Sequence, residues 1–187
     1  MKKILSAVAA IIISNLLFAQ SDNDMKAWQD YMTPGDVHKM MAKYNGEWNE
    51  EVTMWMAPGA PPTVSKATAK NEMIMGGRYQ LSKSTGNMMG MPFEGMSTVG
   101  YDNAKKQFTS TWIDNFGTGT MALKGTWDEK TKTIIFTGKT VDPMIGKDQD
   151  VKQTMQLTDD NNQLMEMFII SPEGEFKTMS IKFTRKN

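Results

Sequence analysis

The chain has 187 residues, with 21 basic and 21 acidic side chains and no cysteine. The charges are interspersed and form no basic block, so the electrostatic footprint that a phosphate backbone requires is missing and nucleic acid is not an expected partner. Without cysteine there are no disulfides, no thiol nucleophile, no thiolate metal ligand and no cysteine to carry a lipoprotein anchor.

The N-terminus has the order of an export signal. Lys2 and Lys3 precede an apolar run from Ile4 to Phe18, broken only by Ser6, Ser14 and Asn15, and the small residue Ala19 stands before a polar stretch. Residues 1–19 therefore read as a removable signal peptide, and the mature protein is expected to be periplasmic or secreted. The apolar run is about fifteen residues, short of the roughly twenty that span a bilayer core. No second long apolar run follows, so no transmembrane segment is expected after cleavage. Removing the signal leaves about 168 residues, the size of one domain.

Residues 20–45 read as a helical lead-in. Met25, Trp28 and Met32 share one helical face, and Val37, Met40, Met41 and Tyr44 share another. Thr33 is placed to cap the second helix with Pro34 at its first position, and Asn45-Gly46 ends it.

From Gly46 to Asn187 the period is two. Trp48, Val52, Met54 and Met56 alternate with Asn49, Glu51, Thr53 and Trp55 before the breaker Pro58-Gly59-Ala60-Pro61-Pro62. Further strands are predicted at 66–75, 78–85, 94–101, 107–114, 119–127, 132–140, 150–158, 163–170 and 175–185. Gly76-Gly77, Asp102-Asn103, Asp128-Glu129 and Asp142-Pro143 are among the turn signals between them. Strands this closely spaced, with no helical crossover, predict a mainly β fold: an antiparallel up-and-down meander of about ten strands. Closing the meander into a barrel removes its two edges and encloses room for a small ligand. The faces Phe108, Ser110, Trp112, Asp114 and Phe93, Gly95, Ser97, Val99, Tyr101 mix polar and apolar residues, as a partly polar lumen requires.

Few residues carry chemistry. The single histidine, His38, lies beside Lys39 and reads as a solvated helix-surface residue; alone it makes neither a triad nor a zinc site. Gly86-Asn87-Met88-Met89-Gly90 lacks the Gly-Lys-Ser/Thr ending of a phosphate loop. Neither a metal nor a cofactor is expected. The nineteen methionines suit adaptable packing in a core or around an apolar ligand. A thioether site for Cu(I) is the chemical alternative, but their scatter along the chain, with no histidine or cysteine beside them, argues against it. Glu72 and Arg78 flank the Gly-Gly turn, while Glu94, Asp102, Asp114 and Asp142 stand at strand ends. They offer raw material for acid–base chemistry, but the catalytic set is not identified; ion pairing and turn formation account for the same residues.

Taken in order, Gly46-Glu47-Trp48, Trp55 to Pro61, Gly76-Gly77-Arg78, Gly86 to Gly95, Gly100-Tyr101-Asp102 and Asp142-Pro143 resemble the bacterial domain-of-unknown-function family 1579 from about Trp28 to Arg185. The resemblance implies a lipocalin-like, calycin-type β-barrel and assigns no catalytic residues. Gly46-Glu47-Trp48 also resembles the opening of haem-binding nitrobindin-like barrels. The ligating histidine which that likeness implies near the C-terminus is absent from this chain. Trp48 is expected to plug the closed end of the barrel.

The resulting expectation is an exported binding protein for a small apolar or amphipathic ligand, with Trp55, Arg78, Tyr101, Trp112 and Asp114 as ligand-binding residues. Arg78 would pair a ligand carboxylate or Glu72, and the aromatics would supply apolar area. A carboxylate enzyme using Glu94, Asp114 or Asp142, and an interaction module built on the 24–44 helices, are the alternatives.

Overall fold

The computed structural model describes residues 23–186, so the expected signal peptide lies outside the described residues. The chain separates into two compact units, Met1–Thr33 and Pro34–Asn187. In the first, residues 23–32 form helix α1, where Lys26 pairs with Asp30 at 2.6 Å and Trp28 meets Tyr31 edge-on. No described helix is long and apolar enough to cross a membrane.

The second unit begins with the short helix α2 (Asp36–Ala42) and continues as ten strands. They are β1 (Gly46–Met54), β2 (Thr63–Ile74), β3 (Tyr79–Met88), β4 (Met91–Asp102), β5 (Gln107–Asp114), β6 (Met121–Asp128), β7 (Thr133–Asp142), β8 (Lys147–Asp159), β9 (Asn162–Ser171) and β10 (Gly174–Arg185). Each strand pairs antiparallel with the next, and β1 pairs with β10, so the meander is a closed barrel. Closure is in continuous register from Trp48 opposite Arg185 to Met54 opposite Met179.

The turns are made by local chemistry. Asp102, Asp128, Asp142 and Asp159 each accept a hydrogen bond on a side-chain oxygen from the backbone N–H two residues on, at 2.7–2.9 Å. This is the Asx geometry that lets an aspartate replace a backbone partner. Between β2 and β3 the chain reverses through Met75, Gly76 and Gly77, all at positive φ, where glycine escapes the Cβ clash.

The helix boundary differs from the expectation. The Thr33 hydroxyl donates to the Gln29 carbonyl at 2.6 Å and closes α1, so it does not cap α2. Gly35 is the N-cap of α2, and His38 serves it: Nδ1 accepts the Gly35 N–H at 3.0 Å. His38 is buried, edge-on to the Tyr101 ring, and this corrects its reading as a solvated residue.

Helix α2 contacts β2, β3 and β4 and lies across one end of the barrel. Gln80 Nε2 donates to the Met41 carbonyl at 2.7 Å, and Asn71 Nδ2 donates to the Tyr44 carbonyl at 3.1 Å. Trp48 is fully buried at this end and donates from Nε1 to the Tyr44 carbonyl. Arg185 lies 4.4 Å over the Trp48 ring, and its guanidinium donates to the carbonyls of Lys43, Asn45 and Asp160. The main buried cluster, with Phe108 and Phe136 at its centre, packs against Met41 of the helix. Each such ring contributes about 1.5–3 kcal/mol by leaving water.

Candidate functional site

Alternate residues of every strand point inward, and they enclose a cavity of about 250 Å³. Its inner end is formed by Met40, Met41 and Tyr44, from α2 and the turn that follows it. At the opposite end the loops after β1, β3, β5, β7 and β9 gather. Phe116, in the β5–β6 loop, lines the cavity there and is itself 44% exposed. Further exposed apolar side chains stand on neighbouring loops of that end, including Met56, Met89, Met144 and Ile145.

The lining has two textures. Nine of its residues are methionine, and among them Met54, Met179 and Met167 are direct cross-strand neighbours on β1, β10 and β9. Unbranched thioether side chains fill irregular space and adapt to what occupies it. Met165 and Met167, two residues apart on β9, both face inward. Met56 and Met75 have left their strands and are exposed.

The second texture is polar. Glu50 on β1 is only 4% exposed, and its Oε1 accepts the Ser84 hydroxyl at 3.0 Å. The reach across β2 is open because the inward residues there are Ala67 and Ala69. Burial pushes the Glu50 carboxyl up to about 7, and the Ser84 hydrogen bond offsets part of that shift. Asn71 stands opposite Ser82, and Ser82 opposite Ser97. Gln163 lies in the same cross-strand row as Glu50, separated from it by Phe183. Among the described residues, two buried side-chain atoms have no hydrogen-bond partner, Asn71 Oδ1 and Gln163 Nε2, and both residues line the cavity.

The structure brings two of the five expected ligand-binding residues to the cavity wall. Trp112 and Asp114 both line it, and Trp112 Nε1 donates to Asp114 Oδ2 at 2.6 Å. A Cβ on Gly95 would sit 2.4 Å from the indole, so this glycine provides the space in which Trp112 lies against β4. Phe93 stacks on Trp112 and meets Phe116 edge-on.

The other three stand outside the wall, each for a local reason. Arg78 is exposed and turns back onto its own hairpin, donating to the Met75 carbonyl at 3.0 Å. Trp55 follows the last residue of β1, with the Lys177 ammonium 5.4 Å from its ring centre. Tyr101 packs between Phe108 and His38 at the helix end. Of the other carboxylates considered, Glu72 and Glu94 are exposed at outward-facing strand positions, and Asp142 makes its turn.

Glu50 and Gln163 were not among the expected site residues. Glu50 nevertheless had a signal: it shares the parity of Trp48 and Val52, which puts a carboxylate on an otherwise apolar strand face.

Among the described residues no group of three or more histidine or carboxylate side chains is placed to hold a metal ion. The family model described as "Protein of unknown function (DUF1579)" matches residues 33–185. No curated protein matches the sequence. Among solved structures, Rv2717c from M. tuberculosis is similar in fold, with a TM-score of 0.58 at 9% identity, covering 83% of this chain and 100% of that one.

Proposed function

The chain belongs to the family described as protein of unknown function (DUF1579), and we propose that it holds a small, partly apolar ligand in its cavity. The observation that carries this reading is the pair of orphaned atoms on the lining residues Asn71 and Gln163. A buried polar atom left without a partner costs about 1–3 kcal/mol, so a ligand bearing a donor and an acceptor recovers what folding leaves unsatisfied. The methionines and Phe93, Trp112 and Phe116 supply the apolar area. Trp112 and Asp114 serve as contacts near the loop end. The signal-like order of residues 1–19 supports export as part of this reading, with binding in the periplasm or outside the cell.

Native mass spectrometry of protein purified from its own export compartment tests the proposal. A reproducible small-molecule mass, lost in Trp112→Ala and in Asn71→Leu, is the expected result. Protein that is empty in every preparation, and that takes up no apolar compound in solution, would overturn it.

A second reading, carboxylate chemistry in the same cavity, draws on Glu50. A carboxyl that titrates near neutral pH beside a serine hydroxyl has the protonation balance that general acid–base catalysis uses. It requires turnover that Glu50→Gln abolishes while the ligand is retained; a fully active variant would end it.

A further inference from the structure

The cavity lining carries charge of one sign only. Glu50 and Asp114 are carboxylates, and no lysine, arginine or histidine stands beside them in the wall. Asp114 is already engaged near the loops, where Oδ2 accepts the Trp112 indole N–H and Oδ1 accepts the Phe116 N–H. Glu50 is not. It is more than nine-tenths buried, and the hydrogen bond described for its carboxyl is the one from Ser84 to Oε1. Its cross-strand neighbours, Ala67 on β2 and Phe183 on β10, offer it nothing. A carboxylate held out of water with no cation beside it is costly, and a ligand that brings the cation removes that cost.

The rest of the lining agrees in sense. Asn71 Nδ2 is committed to the Tyr44 carbonyl, so turning the amide over cannot exchange its orphaned atom, which is an acceptor. Gln163 Nε2 is the single orphan of opposite sense. The hydroxyls of Ser82, Ser84 and Ser97, on β3 and β4, can also accept from the three N–H groups of an ammonium. Toward the loops the wall turns apolar: on β1 the inward positions run from Glu50 through Val52 to Met54, and Met54 stands opposite Met179. Met88, Phe93 and Phe116 complete that end. A cavity of about 150 Å³ holds benzene, so about 250 Å³ holds roughly ten non-hydrogen atoms.

We propose that the ligand is a small apolar amine that enters head first, seats its ammonium on Glu50 and leaves its tail among the methionines and phenylalanines toward the loops. This rests on the binding reading above and narrows it to a cation. An anionic ligand would face two carboxylates with no counter-charge. Burial already holds the Glu50 carboxyl at about 7, and an ammonium beside it favours the ionised form, so binding below that pH releases a proton. The other titratable groups of the wall are Asp114 and Tyr44, and burial raises the Tyr44 hydroxyl above its ordinary value, so it stays neutral.

Calorimetric titration with three probes of one size decides the matter: phenethylamine, phenethyl alcohol and phenylacetate, which share a ring and differ in the charge of the head. At pH 8 phenethylamine should bind at least about tenfold more tightly than the alcohol, and phenylacetate more weakly than either. The advantage of the amine should shrink at pH 5.5, where Glu50 is protonated. Glu50→Gln should bring the amine down to the affinity of the alcohol while the alcohol still binds, which shows that the variant keeps its cavity. Alcohol bound as tightly as amine, or an advantage of the amine that survives Glu50→Gln, overturns the amine class and leaves cavity binding standing. If none of the three binds although native mass spectrometry finds a retained mass, this inference falls alone. If no mass is retained either, both readings fall.

Discussion

Glu50 concentrates the chemistry of this cavity in one side chain. Its carboxyl is held at about 7 against an ordinary 4.5, so between those values the folded chain keeps a proton that the unfolded chain has released. Stability therefore falls as pH rises through this window, and the loss is complete above 7. Glu50→Gln removes the titration. Urea unfolding should show the variant without the Glu50 component of the stability loss that wild type undergoes between pH 4.5 and 7, and more stable than wild type at pH 8 by roughly 3 kcal/mol. A variant less stable at pH 8 would mean that the ionised carboxylate is itself held by partners. The position was legible in the sequence, because period-two parity already groups Glu50 with Trp48 and Val52. The placement of Arg78 was not, since nothing in residue order indicates that a guanidinium will spend itself on the carbonyl of Met75, three residues earlier.

Helix α2 is only seven residues long, below the length at which a helix holds itself together in water, so it depends on its anchors. His38 is one of them. Burial lowers its pKa, a hydrogen bond to the Tyr101 backbone partly opposes this, and the charge of Arg78 lowers it further. The folded ring is therefore neutral, with Nδ1 free to accept the Gly35 N–H. Its contribution is fully present above pH 6.5 and fades as pH falls, the opposite sense to Glu50. His38→Ala should cost about 1–2 kcal/mol at pH 7.5, as loss of a helix cap does. The gap to wild type should narrow at pH 5; a gap independent of pH would assign His38 to packing alone. Sequence pattern found both helical pieces but misplaced their junction by two residues. Thr33 suits either the end of one helix or the start of the next, and only its bond to Gln29 decides.

At the scale of the whole barrel, strand number and order were legible because each turn carries its own chemistry. Closure was legible too, since an open meander would leave two unpaired edges. The gathering of Glu50, Asn71, Ser82 and Ser84 on neighbouring strands of one lumen was not, because it depends on the register between strands. Arg185 secures the closed state by tying β10 to the α2 C-terminus, the Trp48 ring and the β8–β9 turn. Arg185→Ala should lower unfolding stability by roughly 2–4 kcal/mol, since it orphans several carbonyls at once. Thermal melts followed by far-UV circular dichroism would register the loss; an unchanged melting temperature would show that the guanidinium contacts are incidental.

The seam between β1 and β10 also has a temporal meaning. One wall of it is made first and the other last, so contacts such as Arg185 to Asn45 bridge 140 positions of chain. A ribosome or a translocation pore releases the first strand long before its mate exists, and until then the growing sheet offers a bare margin to any neighbour. Long-range pairing of this kind slows the search for the native state. The twelve residues of β10 thus act as the latch of the barrel, and a chain cut short just before them would have nine of its ten strands and no inside.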